Sequence, residues 1–123
     1  MIKNLNTKHK FDLEERTYNF ALNVRNLVNK VSQTLSNREY CRQLIRSSGS
    51  VSANYIEANE SLSRKDFVMR LKISRKECKE SRLWLNLLEL FDIKLQESKE
   101  KLIQESFELI KIFTAIIEKS TNV

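Results

Sequence analysis

The sequence has no proline, a single glycine (Gly49), a single histidine (His9) and two cysteines (Cys41 and Cys78) among 123 residues. Tight β-turns consume Gly, Pro and Asn-Gly pairs, so their scarcity argues against a fold of many hairpins and for long helices with short polar connections. One glycine cannot build a phosphate-cradling loop. One histidine, placed before the first apolar stripe, leaves no Glu-x-x-His pairs for a di-iron bundle, even though Glu57 faces Glu77 or Glu80 in a plausible packing. The cysteines are far apart, and each sits on an apolar helical stripe with no histidine beside it. They read as buried, reduced, inert thiols, which fits a cytoplasmic address. No apolar run approaches the ~18 residues of a membrane span, and the opening MIKNLNTKHKF lacks the apolar stretch of a secretory signal. The expectation is a cytoplasmic, non-enzymatic protein with no catalytic residue, metal, cofactor or membrane association.

What is present points to one all-α domain. Hydrophobic residues make up 41% and charged residues 31% of the chain, and this length has no room for two independent cores. Four amphipathic segments can be read. Asp12 and Glu15 form a capping box, followed by Leu13, Phe20, Val24, Leu27, Val28 and Val31 at helical spacing. A first helix from residue 12 to about 33 is expected, with residues 1–11 as a flexible leader. Ser36 and Glu39 form a second box and open a helix to about Asn59. Its stripe is Cys41, Leu44, Ile45, Ser48, Val51, Ser52, Tyr55 and Ile56.

Gly49, inside that helix, is about 1 kcal/mol worse than alanine. Close approach of another helix across Ser47, Ser48, Gly49, Ser50, Ser52 and Ala53 would offset the loss; a local break at the glycine is the competing reading. Ser63 and Asp66 mark a third start, Phe67, Leu71, Ser74, Cys78, Ser81, Leu85 and Leu88 make a heptad-like seam, and this helix is expected to end near Phe91. A fourth helix, from about Leu95 to Lys119, presents Leu102, Leu109, Ile110, Phe113, Ile116 and Ile117. Antiparallel up-down-up-down packing over residues 12–119 is the natural arrangement. A pair of helical hairpins that completes its core only in an oligomer is the alternative.

Charge is unevenly spread. The formal net charge is +6, yet residues 64–82 alone carry 8 basic and 3 acidic side chains, whereas residues 83–123 carry 5 basic and 7 acidic. Lys72, Arg75, Lys76, Lys79 and Arg82 fall in one band of the third helix, away from its seam. Such a band suits a polyanion such as RNA or another nucleic acid, although a solvated helix face would look the same. Further along, the surface becomes Leu83, Trp84, Leu87, Leu90 and Phe91. A helix apolar on nearly every side is expected to meet a second chain, unless the last helix covers it. Beside the apolar stripe of the second helix runs a polar band of Gln43, Arg46, Ser47, Ser50, Asn54 and Glu57. This band is either wet or a register-fixing seam between protomers. The expected oligomer interface is Arg46, Asn54, Glu57, Leu83, Trp84, Leu87 and Leu90. Lys72, Lys76, Glu77 and Glu80 are expected to form intrahelical ion pairs, or else to bridge subunits.

The stretches DLEERTYNF, QLIRSSGSVSANYIEANESLSRKDF and LKISRKECKESRLWL resemble the four-helix-bundle proteins typified by the 23S rRNA intervening-sequence protein, over about residues 12 to 118. The most specific part is Arg46-Ser47, Ser50-Val51, Ala53-Asn54-Tyr55, Glu57-Ala58, Ser63, Asp66-Phe67, Lys76-Glu77, Glu80 and Trp84-Leu85. Ser52 departs from the glycine common in relatives. The resemblance implies a left-handed bundle and a homo-oligomer, with pentameric rings known in the family. Reading frames of some members lie within segments interrupting ribosomal RNA genes, which is a gene location and not an activity. A related bundle is the accessory protein of diversity-generating retroelements, an analogy of fold alone. Two functions stand open at this level: a self-associating bundle that binds RNA or another nucleic acid through a basic face, and an oligomeric scaffold that binds an unidentified protein partner without nucleic-acid affinity.

Overall fold

A computed structural model describes residues 2–121, with side chains from residue 12 onward. It consists of four helices: α1 (Ile2–Val28), α2 (Leu35–Asn59), α3 (Arg64–Leu87) and α4 (Ile93–Thr121). Cross-helix contacts fix the topology. Thr17 meets Ser52 and Glu14 meets Asn59. Ser47 meets Ser81, and Val51 meets Ser74. Arg82 lies over Phe107, and Arg75 meets Thr114. Numbers rise along one helix as they fall along the next, so each consecutive pair is antiparallel and the chain runs up-down-up-down. Phe20, Val24, Leu44, Val51, Leu71, Cys78, Leu85, Leu109 and Phe113 fill the shared interior, each removing apolar area from water worth roughly 2 kcal/mol. Among the described residues no helix is long and apolar enough to cross a membrane.

Helix boundaries differ from those expected, for identifiable reasons. The stretch upstream of residue 12 has no glycine or proline to break a helix, so α1 already runs through Asp12, and the Asp12/Glu15 capping box is not a helix start. The expectation of a flexible leader at 1–11 falls on residues whose side chains lie outside those described. At its far end α1 stops at Val28. Val31 continues the apolar rhythm because it is buried from a turn, not from a helix. The cap of α2 is Thr34, whose hydroxyl accepts from the Asn37 amide, and not Ser36. The Asn37 side chain is thereby freed to turn inward. Its amide nitrogen donates to the Ser32 carbonyl at 3.0 Å and the Glu89 carbonyl at 2.8 Å, and its oxygen accepts from the Glu89 amide at 2.9 Å. This fully buried asparagine ties the α1–α2 loop to the α3–α4 loop.

That tie also explains why α3 ends at Leu87 and not near Phe91. Asn37 takes both peptide groups of Glu89, and the Lys99 ammonium donates to the Asn86 and Leu88 carbonyls at 3.2 and 3.1 Å, satisfying acceptors that a helix end leaves open. Asp92 then caps α4, accepting from Lys94 at 2.8 Å. Ser63 caps α3 as expected, accepting from Asp66.

The α3 seam from Leu71 to Leu88 is buried throughout. On α2 the buried stripe is rotated from the expected one. Asn37, Ser47 and Ala58 point inward, while Ile45 and Ile56 are half exposed. The rotation follows from serine-to-serine contact: the Ser47 and Ser81 hydroxyls lie 2.8 Å apart, and Ser74 reaches across to the Val51 carbonyl at 3.0 Å. Only small side chains permit such an approach. Gly49 takes no part in it. The α2 helix is continuous through Gly49, and a Cβ added there would meet nothing within 4 Å, so the expected close contact at the glycine is not made within the chain.

Candidate functional site

The third helix presents three surfaces. One is the core seam; the other two flank it, toward α4 and toward α2.

The flank toward α4 carries the cations. The five residues expected to act together are split by the packing. Arg75 donates to the Thr114 hydroxyl at 3.1 Å, and the Arg82 guanidinium lies 4.4 Å from the centre of the Phe107 ring. Both arginines are therefore half-buried and committed to α4. Lys72, Lys76 and Lys79 are exposed. None forms an ion pair with a described residue, so the intrahelical pairs expected with Glu77 and Glu80 are not made; Glu80 instead faces Arg46 at 3.9 Å. Phe107, 43% exposed beneath Arg82, adds an aromatic surface that the sequence reading missed. Its signal was visible in advance only as an apolar residue off the α4 stripe.

The flank toward α2 carries the other set. Met69, Ile73, Lys76, Glu80, Leu83 and Leu87 follow one another by fours and threes, a second heptad row on the outer side of α3 in which Lys76 borders the cationic set. Met69, Leu83 and Leu87 are 47%, 49% and 40% exposed. Trp84 is half-buried, its ring stacked on Tyr40 with centroids 6.1 Å apart. Leu90 is half-buried against the core, and Phe91 is exposed. Across the groove on α2, Arg46 and Glu57 are exposed. Asn54 is half-buried, accepting from Arg70 at 3.0 Å and donating to the Ser50 carbonyl at 2.9 Å. The polar band on α2 is thus partly satisfied within one chain.

Two polar atoms in this groove are not satisfied. Glu77 Oε1 and Trp84 Nε1 are buried without a hydrogen-bond partner. Glu77 lies three residues after Ser74 and four before Ser81, which puts it on the edge of the buried face. That spacing was readable, but the neighbouring lysines drew attention to ion pairing instead.

No group of three or more His, Cys, Asp or Glu side chains able to hold a metal occurs among the described residues. Both cysteines are buried and free. Burial raises the Cys41 thiol and pushes Cys78 up to about 12. The Cys78 thiol donates to the Ser106 carbonyl at 3.4 Å. These are packing groups and not activated nucleophiles.

Comparison with known proteins adds two findings. A family model described as 23S rRNA-intervening sequence protein matches residues 9–115. A crystal structure of a protein with unknown function from the S23 ribosomal protein family, from Bacteroides thetaiotaomicron, superimposes with a TM-score of 0.71 at 32% sequence identity, covering 85% of this chain and 96% of that one. No curated protein matches.

Proposed function

The chain belongs to the 23S rRNA-intervening sequence protein family, and from that premise we propose that it is a non-enzymatic, self-associating four-helix bundle whose α2/α3 flank is the assembly surface. The observation that carries this reading is the second α3 seam, on which Met69, Leu83 and Leu87 stay exposed beside the half-buried Trp84. Apolar side chains repeated at heptad spacing on an outer helix face favour a second helix over water. Gel filtration with light scattering tests it. The wild type is expected to assemble at micromolar concentration, with the pentamer implied by the family resemblance as the mass to look for. Leu83→Glu/Leu87→Glu is expected to dissociate with its helical circular dichroism retained. A monomeric wild type would end the reading.

Nucleic-acid binding is the second reading, favoured by Lys72, Lys76 and Lys79, which are exposed and have no acidic partner among the described residues. Beside them, Arg82 and Phe107 offer a cation and a ring of the kind single strands stack on. Phosphate contacts made by such lysines release counterions, so affinity should fall steeply with salt. Lys72→Glu/Lys76→Glu/Lys79→Glu is expected to abolish salt-sensitive RNA binding while leaving the fold intact. Equal binding by both proteins would remove the lysine row. Absence of RNA binding, with a specific protein retained after nuclease treatment, would support the scaffold role instead.

A further inference from the structure

We infer that Glu77 is the anchor of the assembly surface, receiving a lysine or arginine side chain from a second copy of this chain. The inference rests on the self-association reading and adds to it a residue and a chemistry. Glu77 is 8% exposed, and its Oε1 is buried with no partner. The Ser81 hydroxyl, which lies beside it, donates to the Glu77 backbone carbonyl at 2.9 Å and not to the carboxylate. A carboxylate oxygen buried in this state destabilises the protomer, because the desolvation of that oxygen is not offset by a hydrogen bond. A donor arriving from outside would offset it, and a cation would do so most strongly.

The surroundings decide what brings that donor. Charges on this face are mixed: Glu80 on α3 faces Arg46 on α2 at 3.9 Å, which leaves the Glu77 carboxylate as the unpaired buried acid beside an apolar rim of Met69, Leu83 and Leu87. The Glu77 carboxylate repels phosphate, and a greasy rim calls for a protein surface. This chain itself supplies the complement. It carries a formal charge of +6, and among its described residues Lys72, Lys76 and Lys79 are exposed cations without an acidic partner. Trp84 Nε1, two turns further along α3, is the other unpaired atom of the groove, and a neighbour seated there also brings acceptors to it. The site is incomplete in a single protomer and is completed by a second one.

Glu77→Gln separates this role from an ordinary structural one. Sedimentation velocity over a concentration series is expected to show association weakened at least about tenfold, while the unfolding midpoint of the dissociated protomer stays the same or rises. A merely structural glutamate would give the opposite pattern, with a less stable protomer and unchanged association. Should Glu77→Gln fail to fold, Glu77→Asp keeps the charge but draws the carboxylate back, and the same weakening is expected. Full-strength assembly of the substituted protein, judged on Glu77→Asp if Glu77→Gln does not fold, overturns the role of Glu77 and leaves self-association standing. A wild type that stays monomeric overturns both.

Discussion

The α2/α3 seam and the α1/α4 boundary are built from opposite materials. Between α2 and α3 the contacts are hydroxyl to hydroxyl and hydroxyl to backbone, Ser47 with Ser81 and Ser74 with Val51, so the two backbones lie close. Between α1 and α4 the bridge is made by long arms. Arg16 donates through Nε and Nη2 to the two carboxylate oxygens of Glu105 at 2.7 and 2.8 Å, and Glu105 raises the Arg16 pKa. Beside that pair a cleft of about 600 Å³ stays open, lined by Asn19, Asn23, Asn26 and Lys101 among others. Small side chains determine which helices can nearly touch, and long polar ones determine which merely stay within reach. The tight seam, though buried and serine-lined, is also where Glu77 and Trp84 are left without partners.

This contrast can be broken most severely from the tight side. Ser81 is fully buried against Ser47, so Ser81→Leu forces the two helices apart and is expected to destabilise the protomer by about 3 kcal/mol, read as a lower urea midpoint. A smaller effect of opposite sign is expected on α2, the helix against which Ser81 packs. Gly49 has open space where a Cβ would go, so Gly49→Ala should stabilise α2 by about 1 kcal/mol; a destabilised variant would mean that something packs on the glycine after all. Smallest of all is Arg16→Ala. Its ion pair is bidentate, but the two side chains are 42% and 28% exposed. Water and salt screen such a pair, and a loss of about 0.5 kcal/mol is expected. A loss near that of Ser81→Leu would mean that the α1/α4 boundary is as tightly determined as the seam.

How much of this was legible depended on which kind of signal a residue carried. The α3 core seam was read correctly because Phe67 to Leu88 alternate fours and threes without interruption. The α2 stripe was misread by part of a turn because Ile45 and Ile56 are apolar yet half exposed, while Ser47 is polar yet fully buried. Hydropathy ranks those residues in the wrong order when hydrogen bonding across the seam satisfies the serine. Asn37 was invisible for a related reason. Its partners, Ser32 and Glu89, are backbone groups of two loops that meet only in the folded bundle. The five-residue basic band was correct as a run of charges, but two of its members are taken up by Thr114 and Phe107 on α4.

By itself the sequence determined the helical class, the number of helices, the buried α3 seam and the family, because these depend on local spacing and on residues that forbid turns. Tertiary structure alone decided where α3 stops, which serines touch, which lysines stay free and that Glu77 is shut away without a partner. Each of those outcomes depends on what another helix brings to the same place, and no periodicity along one segment encodes its neighbour's contribution.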